Sequence, residues 1–240
     1  MTTLTLRRPS TVAPVDTTPL TYKASLELIG GLSHPSKMPW WGWSTPASAC
    51  ITGGKLAKKT GTVCSGCYAL KGFYMFPAAQ NAMHRRMVAA LNPRFVEAFV
   101  IALENLYLKT RKRRANGDRE NRFRWFDSGD LQSVEMLIKI NDIALGTPQV
   151  QHWLPTREAK IVADFLAKHG DFAPNLCVRI SVAMVGSIPE RRPQGLPFAT
   201  VGVDESDAVS QCPASRFQNN ECRDCDACWK QDTDINYPLH

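Results

Sequence analysis

Seven of the eight cysteines in this 240-residue chain fall into two groups. Cys212, followed by Pro213, precedes Cys222, Cys225 and Cys228, the last three separated by two-residue gaps. Cys50, Cys64 and Cys67 form an earlier and sparser set, C-x13-C-x2-C. Soft thiolates at this density suit zinc or an iron–sulfur centre. The C-x2-C-x2-C run is the spacing of ferredoxin-type ligands, which also use a Cys-Pro, so an iron–sulfur cluster is favoured over zinc. Disulfides or idle buried thiols are the remaining alternative. Four local cysteines would close a [4Fe–4S] cluster, which suits anchoring or electron relay. Three would leave one iron open to a ligand, the coordination of a reactive rather than a structural site. Cys64 and Cys67 could instead join other ligands around zinc, or the seven cysteines could share one cluster with the rest to spare, so one cluster or two are expected.

Composition sets the compartment. Hydrophobic residues at 44% and charged residues at 21% are globular values. No apolar run reaches the roughly 18 residues of a membrane span, so no membrane is expected. The segment Met1 to Pro19 is Thr- and Pro-rich, with Arg7 and Arg8 but no apolar core after them, which does not read as a secretory signal. A cytoplasmic location follows as an expectation, and there thiols stay reduced. The net charge of +7 is concentrated between Lys109 and Arg124, where eight Lys or Arg face only Asp118 and Glu120. That run is either a nucleic-acid contact or a solvated helix end.

These residues need a scaffold. Residues 1–20 read as a flexible tail, and 21–240 as one domain in three parts: a cysteine segment and helix (21–91), a βα core (92–205) and the late cysteine group (206–240). Residues 36–49 read as irregular, with Trp40, Trp41 and Trp43 covering something. Gln80 to Leu91 predicts a helix. A second follows Asn92 as N-cap and Pro93, with Phe95, Phe99, Leu103 and Leu106 as its stripe, to about Lys109. Strands are predicted at 123–127, 150–154, 176–183 and 198–203. Helices fill the first two gaps, one capped by Asp130 and running to Leu145, one capped by Thr156 and closing at Gly170. This alternation predicts an α/β fold, a partial (βα) barrel or an open parallel sheet, with cysteine-rich metal-binding segments at both ends.

In such folds the loops after the strands build the site. Asp127, Ser128, Asp130, Thr156, Arg179 and Ser181 are therefore the candidate cofactor-binding residues, with Arg157 beside them. Capping alone would account for Asp130 and Thr156, and Arg179 could be one half of a structural ion pair. His152 reads as a packed core histidine, His84 as exposed, and Cys177 as a small buried apolar residue.

Several blocks together resemble a known family. Trp43-Ser-Thr-Pro-Ala, Cys64-Ser-Gly-Cys67-Tyr-Ala-Leu-Lys-Gly-Phe-Tyr74, Phe126-Asp-Ser-Gly-Asp130, Trp153-Leu-Pro-Thr-Arg157, Val178-Arg-Ile-Ser181 and the late cysteine group look like the bacteriophage "gene product 88" family, over residues 36–240. That family implies a phage origin and a location in the bacterial host's cytoplasm. More distantly, Cys64-Ser-Gly-Cys67-Tyr-Ala is similar to radical S-adenosylmethionine (SAM) proteins. That likeness implies a partial barrel, a three-cysteine [4Fe–4S] cluster at its mouth, SAM on the open iron, a second cluster towards the C-terminus and an external electron donor. The first gap here is longer than usual there, and Asp127-Ser-Gly-Asp130 stands where a Gly-Gly-Glu would follow the first strand. An iron–sulfur protein without SAM chemistry, acting in electron transfer, sensing or Lewis-acid hydrolysis, is the other enzyme-level expectation. A nucleic-acid-binding metalloprotein using residues 109–124 is the third.

Overall fold

The computed structural model describes residues 18–38, 40–109, 121–204 and 209–239. Most of the tail and most of the basic run lie outside the described residues. The two arginines that end the run are described and turn into the fold: Arg122 pairs with Asp226 at 2.9 Å, and Arg124 lies over the Trp153 ring at 4.6 Å.

Among the described residues seven parallel strands form one sheet: β1 (Trp41–Trp43), β2 (Arg122–Trp125), β3 (Gln151–Thr156), β4 (Leu176–Ser181), β5 (Phe198–Val201), β6 (Ser210–Gln211) and β7 (Ile235–Tyr237). Their order is β1-β2-β3-β4-β5-β7-β6. The first five strands therefore step across the sheet in one direction. Right-handed crossovers that never reverse put their helices on one face. The helices are α1 (Tyr22–Leu28), α2 (Ile51–Leu56), α3 (Pro77–Ala89), α4 (Phe95–Lys109), α5 (Val134–Gly146), α6 (Ala159–His169) and α7 (Ala214–Phe217). As that winding requires, α1 packs on α4, α4 on α5 and α5 on α6, a single layer.

Strand alternation then separates two environments. Phe123, His152 and Leu176 share one row of the register and face the helices. The next row, Gly42, Arg124, Trp153 and Cys177, faces the other way. The helix side is the main core. There the predicted stripe Phe95, Phe99, Leu103 and Leu106 is buried against Trp43, Phe123 and Trp125, each such side chain contributing about 1.5–3 kcal/mol. The opposite face is covered by the C-terminal segment. Trp229 stacks edge-on against Trp40 and Trp153, at 4.9 and 5.2 Å between centroids, and its indole N–H donates to the Phe123 carbonyl.

Three local expectations need correction. Residues 41–43 are a strand, β1, because they pair with β2; the stretch is not irregular throughout. Asp130 does not cap α5: Ser133 does, accepting from the Met136 amide at 3.2 Å. Thr156 does not cap α6. It ends β3, and Glu158 is the residue ahead of the helix.

His152 is a core residue, fully buried between the Trp125 Nε1–H at 3.2 Å and the Thr147 hydroxyl at 2.9 Å. Burial lowers its pKa to about 3. The unfolded chain protonates this ring near 6.5, so between the two values the unfolded state binds more protons. Stability is then complete above about pH 6.5 and falls on acidification, by at most about 1.4 kcal/mol per pH unit. Thermal melts from about pH 7.5 to 4.5 should show a steeper loss for the native chain than for His152→Gln. Parallel losses in both would remove His152 as the cause.

Candidate metal centre

The early cysteines sit at the C-terminal ends of the strands. The chain leaves β1 through Ser44, Thr45 and a turn at Ala47–Ala49, and Cys50 then precedes α2. Glu158, just beyond β3, pins the start of α2: its carboxylate accepts from the Thr52 amide and hydroxyl, both at 2.7 Å. Cys64 lies in the 3-10 turn Val63–Gly66, which Thr62 caps by accepting from the Ser65 amide at 3.2 Å. The turn is strapped across the end of β4: the Val63 amide donates to Ala183 O, and the Val185 amide to Gly61 O. The Cys67 amide donates to Cys64 O at 3.2 Å.

Gly53 makes the early thiols neighbours. A Cβ at Gly53 would lie 3.0 Å from Cys50 Cβ, 3.6 Å from Cys64 Sγ and 3.7 Å from Cys50 Sγ, so both sulfurs are within 4 Å of one point that carries no side chain. Burial, and then the charges of Asp130, Cys67, Cys64 and Glu158, push the Cys50 thiol up to about 12. Burial raises Cys64 as well, while the Arg157 guanidinium beside it pulls the other way. Thiols held this high keep their protons at neutral pH. A metal that binds them must displace those protons, and its affinity rises with pH.

The strand-end residues divide between two tasks. Asp130 is fully engaged: Oδ1 accepts from the Leu131 amide and the Thr156 hydroxyl, and Oδ2 from the Arg157 amide. Burial pushes it up to about 6, against those hydrogen bonds. It ties the end of β2 to the end of β3 and so fixes Arg157 and Glu158 near Cys64 and Cys50. Asp127 accepts from Tyr74 Oη through Oδ2 at 3.0 Å, and its carbonyl accepts from Tyr68 Oη at 2.6 Å. Its Oδ1, Ser128 Oγ and Thr45 Oγ1 are buried with no partner among the described residues. Ser128 O accepts from the Thr45 amide, so these three atoms belong to the paired ends of β1 and β2. Ser181, at the end of β4, is half-buried.

Arg179 lies on the far side of the sheet from the helices and is fully buried. The ion pair considered for it is not what holds it. Its terminal nitrogens reach five backbone carbonyls: Phe198, Ala227, Cys228, Lys230 and Thr233. Three of these belong to 227–230, around Cys228. The late cysteines gather on this face. The Cys212 amide donates to Asn236 O, the Cys222 amide to Lys37 O, and the Cys225 amide to Cys222 O, while Cys228 Sγ lies 3.1 Å from Tyr237 Oη. Burial, with the charges of Cys212 and Cys225, raises Cys222 to about 11; burial raises Cys228 to about 12 although Tyr237 and Arg179 oppose it. Cys177 stands apart under β4, donating to Lys230 O.

Between the two groups lies Arg124. Burial alone would lower its guanidinium, but Tyr68, Asp127, Tyr237 and Tyr74 hold it above the ordinary value. Glu158 and Arg124 escape sequence reasoning because they lie far in sequence from the cysteines they serve, whereas Gly53, three residues after Cys50, is close in sequence but carries no motif that marks it. The Thr-Arg-Glu that ends β3 is the one local hint, a cluster of polar residues at a strand end. All eight cysteines are free thiols, and among the described residues no three His, Cys, Asp or Glu side chains converge on a single metal-ion position.

The arrangement defines a singly wound parallel α/β protein with one thiol group at the strand ends and another on the sheet face away from the helices. A family model described as Gene product 88 matches residues 16–231, and the chain belongs to the gene product 88 family. No curated protein and no solved structure matches it, so the likeness to radical SAM proteins gains no support there. No helix among the described residues is long and apolar enough to cross a membrane.

Proposed function

We propose that the protein is a phage-encoded iron–sulfur redox enzyme, with an open cluster on Cys50, Cys64 and Cys67 and a closed one on Cys212, Cys222, Cys225 and Cys228. The observation that carries this reading is the pair of sulfurs facing the bare Gly53, directly behind β1 at the C-terminal ends of a singly wound parallel sheet. In parallel α/β folds the loops at that end build the active site. The donor set also fits: thiolates are the ligands these clusters take, and Gly53 leaves space where a side chain would intrude. At the late group, the buried guanidiniums of Arg124 and Arg179 favour the thiolate form of Cys222 and Cys228, and a cluster bound by four thiolates would balance their charge.

An open, reduced [4Fe–4S] centre supplies single electrons to a ligand on its free iron, and SAM is the ligand we propose. The protein's share is positioning. Asp127 Oδ1, Ser128 Oγ and Thr45 Oγ1, buried with no partner among the described residues, would bind the polar groups of such a cofactor. Asp130 and Thr156 hold the loop that carries Arg157 and Glu158, and Ser181 edges the same side. An external electron donor would reduce the centre.

Anaerobic purification with iron, sulfide and EPR measurements tests the metal. About eight irons per chain are expected, falling to about four in either Cys64→Ala or Cys225→Ala and to almost none in the double variant. Zinc without sulfide would overturn the proposal. Dithionite and SAM should then yield 5′-deoxyadenosine. Full cluster content without that product would leave the electron-transfer or sensing role.

A further inference from the structure

The stretch carrying Cys50, Cys64 and Cys67 has a one-sided charge. Between Glu27 and Glu97 the chain has eight Lys or Arg and no Asp or Glu. Arg86 and Arg94 are used internally, donating to Gly31 and Leu32 carbonyls and to Glu97 respectively. Lys55, Lys58, Lys59, Lys71 and Arg85 are exposed, while Lys37, also exposed, lies beside the late Cys222. Interleaved with the lysines are open aromatic rings: Tyr68 is 48% exposed, Phe73 81% and Phe76 55%. These rings are held in place. Tyr68 and Tyr74 both donate to Asp127 and lie 5.6 Å apart, and Phe73 and Phe76 meet edge-to-face at 5.2 Å. α2 packs on the Val63–Gly66 turn. The Tyr68–Leu70 turn packs on Gly72–Met75, and that turn packs on α3, so rings and lysines line one region around the early thiols.

We propose that this surface binds single-stranded nucleic acid and lays a strand across the cysteine triad. Lysines neutralise phosphates, and exposed rings stack on bases that are already unpaired; neither alone makes such a surface, and this stretch carries both. Lysine is depleted from protein–protein interfaces, which disfavours an acidic protein as the occupant. The surface is built from short turns rather than a helix or ribbon able to enter a groove, which disfavours a duplex. The inference deepens the iron–sulfur reading by naming a substrate class for that site, yet the binding itself needs no metal.

Fluorescence anisotropy with labelled dT20 and U20 across a salt series tests it. Binding should weaken steeply with salt, by about 0.7 in log–log slope for each phosphate neutralised. The triple variant Lys55→Gln/Lys58→Gln/Lys59→Gln should flatten that slope by about 2. Phe73→Ala and Phe76→Ala should each weaken binding roughly 5- to 150-fold with the slope kept. Lys160→Gln/Lys168→Gln on α6 should change nothing. No binding at low salt, tighter binding of the matching duplex, equal binding of polyglutamate, or surface variants that bind normally would each overturn the proposal. Iron and sulfide are measured on the same samples. Variants that keep their metal but lose the oligonucleotide support it, and a native chain that binds the strand without iron leaves this proposal standing while the cluster reading falls.

Discussion

Arg179→Met should lower the thermal midpoint by roughly 6–20 °C, the equivalent of about 3–5 kcal/mol in a chain of this size. The methionine would fill much of the volume, so the loss comes from polar groups. Five carbonyls now served by one guanidinium would be left buried without that donor, three of them in the 227–230 segment that carries Cys228. Arg179→Lys should fail almost as badly. An ammonium is a point donor and cannot span acceptors on both β5 and the C-terminal segment as a planar fork does. The segment around Cys228 should also become the first site of limited proteolysis, and on the proposed cluster assignment iron at the late thiols should fall while that at the early ones is kept. A lysine variant with an unchanged midpoint would mean that the five contacts carry little.

The second large effect belongs to Gly129→Ala. Gly129 has φ +79°, and an added Cβ would fall 2.0 Å from Thr45 Oγ1 and 2.6 Å from Thr45 O. Left-handed strain and overpacking together predict a cost of about 2–6 kcal/mol. Because Thr45 leads from β1 to Cys50, on the proposed cluster assignment the displaced loop should lower iron at the early thiols while the late group is spared. Gly72→Ala is the comparison. Gly72 also has a positive φ, +53°, but open space around it. Its loss should be about 1 kcal/mol. Equal losses at the two positions would reduce the Gly129 effect to backbone strain.

The helices and central strands were legible because their patterns are long. The stripe of α4 and the apolar run of β4 each dictate their own burial. β1 was not legible. Trp41-Gly-Trp43 is three residues between prolines, and it is a strand only because β2 offers it a partner with the register Gly42 to Arg124. The same holds for β6 and β7, two and three residues long. Asp130 was misread for a related reason. A carboxylate ahead of a helix has the chemistry of a cap, but tertiary partners at Thr156 and Arg157 took its oxygens first. The cysteine grouping was visible from spacing alone, whereas Glu158 and Arg124 reach the thiols only through the fold.

The position of β7 between β5 and β6 bears on how the molecule assembles. Strands β2 to β5 can each join a neighbour already made, β1 being the strand that β2 joins. β6 cannot: its pairing partner is β7, which comes later in the chain, so it must wait for a strand not yet synthesised. Cys212 directly follows β6 and hydrogen-bonds to Asn236 of β7. The late thiols therefore draw on strands that pair only once β7 is made: Cys212 follows β6, and Cys228 meets Tyr237 of β7.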